Sequence, residues 1–224
     1  MTRIPLVPSR QAGWLTRLAY RLARRRYGQV PEPFQASAHH PGLMWASGVH
    51  ELLVERAARR LDEPLRELVV HRVATRVGCS WCMDFGTMLA LRAGVALRHR
   101  ELGRYASSPA FTDTEKLALG YADAMTDLPM SVTDAQVAAL RERLGEAGLI
   151  ELTYLIALEN MRARTNHALG LTAQGYTTGE ACPMPYDEQI TAATDRPDGM
   201  DTVSVLASRT IARPMRSALH DEPA

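Results

Sequence analysis

Lysine is nearly missing from this chain of 224 residues: Lys116 is the single one among 26 basic residues, and the rest are arginine. Those 26 are balanced by 25 acidic residues, for a formal net charge of +1. No global field therefore selects nucleic acid or an acidic partner. Long apolar runs are also missing. None reaches the ~18 residues of a spanning helix, and no apolar segment precedes a small-residue cleavage site, so neither a membrane span nor a secretory leader is expected. Gly42 and Gly48 do not form a phosphate-cradling loop, and no bound organic cofactor is expected. Cysteine is scarce, with Cys79, Cys82 and Cys182 only. Three cysteines without a leader do not make a disulfide scaffold and fit a reducing, cytoplasmic setting. Strand signals are few.

Helical signals recur instead. Arg10 to Arg26 is arginine-rich and amphipathic, with Trp14, Leu15, Leu18 and Leu22 on one side. A targeting or membrane-surface helix can look like this. The commoner outcome is a first helix that docks this stripe on the core or on a neighbouring subunit. Pro31, Pro33 and Pro41 punctuate a loop carrying His39 and His40, and Gly42 to Arg60 resumes a helical pattern. Asp62-Glu63-Pro64 offers an N-cap, an acidic first turn and an early proline, opening a helix that Gly78 can end near Val77. Another helix begins at Cys79 or Ser80 and runs to Arg92. Thr112-Asp113-Thr114-Glu115 and Thr133-Asp134-Ala135-Gln136 read as capping boxes for two more. Gly145 and Gly148 separate the second of these from a run beginning at Leu149. That run is apolar nearly all round, as in a central buried helix, until Asn160, Arg162, Arg164, Asn166 and His167 make it polar. Beyond Tyr186 the pattern fades into a loosely ordered tail, with a short helix near Val203 to Ile211. The expected organisation is an all-α fold: an N-terminal helical extension over 1–30, a helical domain over 31–180 and a tail over 181–224.

Chemistry concentrates at Gly78-Cys79-Ser80-Trp81-Cys82. A helix start lowers a thiol pKa by offering free N–H groups and positive dipole, and the thiolate is the reactive species in disulfide and peroxide chemistry. Two intervening residues in a first helical turn put the second sulfur within disulfide reach of the first, so one can resolve what the other begins. Two buried inert cysteines, or half a metal site, would give the same pair. Zinc wants four ligands, and only Cys182 and scattered histidines remain to supply them. Glu67, on the preceding helix, sits at the edge of an apolar arc formed by Val70, Val73, Ala74 and Val77. Partial desolvation there raises a carboxyl pKa and suits it to move protons. An ion pair with Arg66 or Arg72 is the alternative. His71 is one turn along and in reach of Glu67. Trp81 can shield the cysteines, stack on a substrate or simply pack. The other histidines show no partners in the sequence.

A thioredoxin would flank C-x-x-C with alternating strands and helices; here helices lie on both sides. The segment from Leu65-Arg66-Glu67-Leu68-Val69-Val70 to Gly78-Cys79-Ser80-Trp81-Cys82 resembles the core motif of the carboxymuconolactone decarboxylase family, in its alkylhydroperoxidase D-like branch. The likeness is clear from Leu65 to about Val95 and weaker from Pro31 and out to Tyr176. That branch has a glutamate, eleven residues, C-x-x-C, and a histidine four residues after the second cysteine. Glu67, Cys79 and Cys82 match in type and spacing, whereas the histidine position is Gly86. The resemblance implies a helical bundle that assembles as a homotrimer or hexamer. It also implies peroxidase chemistry in which Cys82 attacks, Cys79 resolves, and Glu67 is the base of a proton relay. His71, His167 and Asp84 are the candidates to replace the missing histidine. The implied partners are a small hydroperoxide or disulfide as substrate and a dithiol as electron donor.

Two non-redox readings stand beside this one. The decarboxylase branch acts on a lactone acid without a cysteine pair, and Arg162, Arg164 and Asn166 could bind a carboxylate. Those three residues are equally a polar helix end with last-turn cations. The other reading is a helical oligomeric binding protein whose cysteines are incidental.

Overall fold

The computed structural model describes residues 2–93 and 96–177. The anticipated tail over 181–224, its short helix and Cys182 lie outside the described residues. Among the described residues there are eight α-helices and no strand. In chain order they are α1 (Trp14–Tyr27), α2 (Glu32–Ser37), α3 (Pro41–Ala57), α4 (Glu63–Val77), α5 (Ser80–Ala93), α6 (Ala96–His99), α7 (Asp113–Thr126) and α8 (Asp134–Ala168). A single 3-10 turn covers Leu102–Arg104.

Local chemistry sets the helix ends. Asp62 caps α4, its carboxylate accepting from Leu65 N–H at 3.0 Å, with Pro64 in the first turn. Such a cap is worth about 1 kcal/mol. Gly78 ends α4 in the left-handed region (φ 79°), returning its N–H to Ala74 O and Thr75 O. Any side chain would be strained there, and the reversal lets α5 start two residues later. Both expected capping boxes form, Thr112 with Glu115 on α7 and Thr133 with Gln136 on α8. Gly145 breaks α8 into two stretches through a non-helical φ of 68°.

α4 is the central helix, packed against α5, α7 and α8. Leu68, Val69 and Val73 from α4 meet Ala118, Leu119 and Ala122 from α7 and Leu140, Leu152 and Ile156 from α8. All are fully excluded from solvent. Each large aliphatic side chain so buried contributes about 1.5–3 kcal/mol before entropy is counted. A fork from Arg72 to Asp123, at 2.7 and 2.8 Å, ties α4 to α7 at the rim of this core.

Three local expectations are corrected. The proline-punctuated stretch after Pro31 holds a short helix, α2, because Pro33 falls in its first turn where no N–H is needed. The stripe on α1 does not dock on the chain's own core. Trp14, Leu15, Leu18 and Leu22 are exposed, while the opposite side of α1 is anchored through Tyr20 and Ala23. The helix from Leu149 is one-sided: Leu152 and Ile156 are buried, but Ile150 and Tyr154 face out.

The N-terminal segment meets the end of α8 and α2 at one corner. Arg3 N–H donates to Leu169 O at 2.9 Å, the Arg3 guanidinium reaches Ala168 O at 2.8 Å, and Val7 N–H donates to Gln35 O on α2. A strap over residues 171–177 then passes over α5.

Candidate active site

Cys79 is the residue before α5, and Cys82 lies in its first turn. Their Cα atoms are 5.3 Å apart and the sulfurs are joined in a disulfide. The reversal at Gly78 sends Cys79 N–H back to Ala74 O at 3.0 Å, locking the first cysteine against α4. Cys82 N–H donates to Cys79 Sγ at 3.2 Å, so the first cysteine serves as the sulfur cap of the helix. Cys82 Sγ accepts from the Asn166 side-chain amide of α8 at 3.4 Å. Both cysteines and Asn166 are buried. Ala36, Ala74, Met83, Ala163 and Leu171 pack around the pair, with Ile4 and Leu6 from the N-terminal segment.

Aromatic rings roof the site. Trp81 stacks on Phe85 with centroids 4.9 Å apart, and Tyr27 and Tyr176 meet Phe85 edge-on at 5.1 and 5.2 Å. The Trp81 indole N–H donates to Gln174 Oε1 of the strap at 3.1 Å. Asp84 accepts four hydrogen bonds from the strap: the N–H groups of Gln174, Tyr176 and Thr177 and the Thr177 hydroxyl, all between 2.8 and 3.0 Å. Its acceptor capacity is spent on holding the strap in place.

Glu67 projects from α4, half-buried, with no hydrogen bond to either sulfur or to His71 among the described residues. Burial, then the neighbouring Glu63 carboxylate, push its pKa up, against Arg66 and Arg162. Glu159 of α8 shares this environment. It is buried, bonded to Arg162 at 3.2 Å, and pushed up to about 7 by burial and by the Glu51 and Glu67 carboxylates, against Arg162. Arg162 also grips Glu51 of α3 through both of its fork nitrogens.

His71 is buried one turn beyond Glu67, but it faces Gly86. A Cβ at Gly86 would meet His71 Nδ1 at 3.2 Å, so the α4 imidazole occupies the space beside the position where the family motif has a histidine. That Nδ1 has no hydrogen-bond partner among the described residues. His71 stacks on the equally buried His99 of α6 at 4.0 Å. Burial, then the other ring, drive its pKa down to about 3; burial, then Arg98, take His99 to about 4. Both rings are neutral near pH 7. His167 is exposed and Asp84 is saturated by the strap, which leaves His71 as the candidate that meets Gly86.

The structure thus brings Cys79 and Cys82 together and sets His71 against Gly86, while Glu67 bonds to none of them and lies within electrostatic reach of Arg162. The sequence reading grouped Asn166 with Arg162 and Arg164 as a carboxylate binder. Asn166 touches sulfur instead, Arg162 is occupied by glutamates, and Arg164 donates to Thr126 O at 3.1 Å. Glu159 was not singled out. Its signal was an acid at the polar edge of the apolar run, three residues before an arginine.

Residues 46–124, from within α3 through most of α7, match the model of the carboxymuconolactone decarboxylase family. The chain is 35% identical over 176 residues to the Escherichia coli K12 protein YnjA, covering 78% of this chain and 92% of that one. It is 34% identical over 93 residues to a Mycobacterium tuberculosis protein named alkyl hydroperoxide reductase, spanning 40% of this chain but only 26% of that one. Among solved structures, the alkylhydroperoxidase AhpD core of a peroxidase-related protein from Ralstonia eutropha superposes with a TM-score of 0.69 at 18% identity. It covers 78% of this chain and 94% of that one. The debrominase Bmp8 superposes with a TM-score of 0.65 at 19% identity, over 73% and 88%. At such identity these two structures speak for the fold alone. Family model, long relative and fold agree: the chain belongs to the carboxymuconolactone decarboxylase family and has the AhpD-like helical fold.

Proposed function

We propose that this protein is a thiol-dependent oxidoreductase that reduces small hydroperoxides, or disulfides, through Cys79 and Cys82. The observation that carries the reading is the cysteine pair at the start of α5, with an amide donor aimed at the second sulfur. The M. tuberculosis relative named alkyl hydroperoxide reductase and the AhpD-like fold support it.

In the reduced protein the Cys82 thiol gives its proton to the relay that begins at Glu67. The Asn166 N–H and the α5 N-terminus hold the resulting thiolate. The thiolate attacks the terminal peroxide oxygen, the O–O bond breaks, and the alkoxide takes the proton back to leave as the alcohol. Cys82 is then a sulfenic acid. Cys79 sulfur attacks it, the S–S bond forms, and hydroxide leaves with the Cys79 proton as water. One peroxide is reduced and two thiols are oxidised. An external dithiol returns both electrons by thiol–disulfide exchange.

The test is the rate of thiol loss in the reduced protein after adding cumene hydroperoxide. Rapid intramolecular disulfide formation in wild type is expected, blocked by Cys82→Ser and slowed by Glu67→Gln. With Cys79→Ser, a sulfenic acid on Cys82 should be trapped by dimedone. Wild-type oxidation no faster than that of free cysteine would overturn the assignment.

A further inference from the structure

α3 is an apolar helix that its own chain leaves largely uncovered. Of its 17 residues only Met44 is buried, while Leu43, Val49, Leu52 and Leu53 stand exposed. α8 is bare where it runs beside α3: Ile150 is 68% exposed and Tyr154 48%. Between the two helices lies a groove of about 460 Å3. His50, Leu53 and Ala57 line one wall, and Ala147, Ile150 and Tyr154 the other. A hydrogen bond between His50 Nε2 and Tyr154 Oη, 2.6 Å long, bridges the walls. Each wall repeats at spacings of three and four residues, the pattern along which a further helix packs. Such a groove takes the apolar face of an amphipathic helix.

The chain supplies a helix of that kind with its apolar face unused. Trp14, Leu15, Leu18 and Leu22 of α1 follow the same three-and-four spacing and are between 42% and 72% exposed. α1 cannot turn this stripe into its own groove. Thr16, Tyr20 and Ala23 on its other side are buried, and the Tyr20 hydroxyl donates to Val7 O at 3.1 Å, so rotating the helix would strip its anchor. A stripe that fills the groove therefore comes from another copy. Apolar side chains of this size expose on the order of 100 Å2 each. A copy that gives its stripe and receives another in its groove covers roughly the 800 Å2 per partner of a stable interface.

We infer that the α3–α8 groove is a self-association site whose occupant is α1 of a second copy, with the Trp14–Leu22 stripe lying along Leu53, Ile150 and Tyr154. Stripe meets groove, so two copies can pair reciprocally or more can close a ring. None of these residues belongs to the cluster around the cysteine pair, and the inference stands independently of the thiol chemistry.

Sedimentation velocity and light scattering on the 224-residue chain give the mass directly. Wild type should run as an oligomer of its 24.7 kDa chain. Leu18→Glu/Leu22→Glu and Leu53→Glu/Ile150→Glu should each fall to monomer with wild-type circular dichroism, since all four side chains are exposed. Mixed one to one, the two variants should recover a complex of two chains and no larger, because the groove intact in the first accepts the stripe intact in the second. If a glutamate variant does not fold, serine at the same positions replaces it. A monomeric wild type overturns the inference and leaves the groove to a different partner. A stripe variant that still associates also overturns it, since the groove then pairs with itself or takes another segment of the chain. So does a mixture of folded variants that stays monomeric.

Discussion

Replacing Asn166 by leucine removes the side-chain N–H that points at Cys82 Sγ from 3.4 Å while nearly keeping the buried volume. In the disulfide this contact is a weak hydrogen bond to neutral sulfur. In the reduced protein the acceptor is a thiolate, and a hydrogen bond to a charged partner is worth about 1.5–3 kcal/mol. Sulfur is a diffuse acceptor, so the lower end applies. At about 1.4 kcal/mol per pH unit, losing this donor raises the Cys82 pKa by about one unit. With Cys79→Ser as background, only Cys82 of the pair remains to titrate. Thiolate ultraviolet absorbance followed against pH should show a midpoint about one unit higher in Asn166→Leu than in the parent. Where the thiolate is the minor form, alkylation by iodoacetamide should slow about tenfold. A midpoint that stays put would refute the idea that Asn166 tunes the sulfur and reduce the contact to packing.

Gly86→Ala should destabilise the wild type, because the new Cβ presses on His71 Nδ1. In a His71→Ala background it should stabilise by up to about 1 kcal/mol, the ordinary helical gain of alanine over glycine; opposite signs in a thermal-melt double-mutant cycle are the expected result, and equal signs would contradict the close approach. His71 and His99 have folded pKa values far below the unfolded value, so the unfolded state binds more protons and stability falls with pH below about 6.5, by up to about 1.4 kcal/mol per pH unit for each ring. Glu159, raised to about 7, acts with the opposite sign and adds stability as pH falls from about 7 toward its unfolded value. The wild type should therefore lose melting temperature between pH 6.5 and 5, whereas His71→Phe/His99→Phe should hold or gain; a parallel decline would show that the rings are not buried neutral. Asp84→Ala strips four donors of their acceptor and should cost at least about 3 kcal/mol. Amide exchange at Gln174, Tyr176 and Thr177 should quicken well before global unfolding, and unchanged protection there would show that Asp84 does not hold the strap.

Much of the frame was legible because it is written locally. Asp62, Thr112 and Thr133 announce three helix starts within four residues of sequence, and Gly78 and Gly145 mark a stop and a break. The start of α5 at the cysteine pair follows from the same punctuation. What local pattern could not reveal depends on packing partners far away in sequence. The α1 stripe reads as a core-facing face, yet Tyr20 on the other side makes the anchoring bond, to Val7 O. Ile150 and Tyr154 belong to an apolar run whose exposure is decided by which neighbour covers it. Asn166 reaches Cys82 across 84 positions, a contact no periodicity encodes. Glu67 and His71 share a helix face by spacing, but the His71 ring stacks on His99 of α6 and makes no bond to Glu67, so their expected pairing does not form.

The knot of hydrogen bonds that ties Arg3 to Leu169, and the strap to Asp84, lies over the cysteine pair. In most folds the chain ends fray first, and that fraying is harmless. Here fraying of the N-terminal segment would lift Ile4 and Leu6 off the apolar cluster that holds the cysteine pair. Loosening of that segment is therefore also a motion that thins the cover over the disulfide. A reductant too large to enter the closed fold would then be served at a rate set by the knot, while a small oxidant need not wait for it.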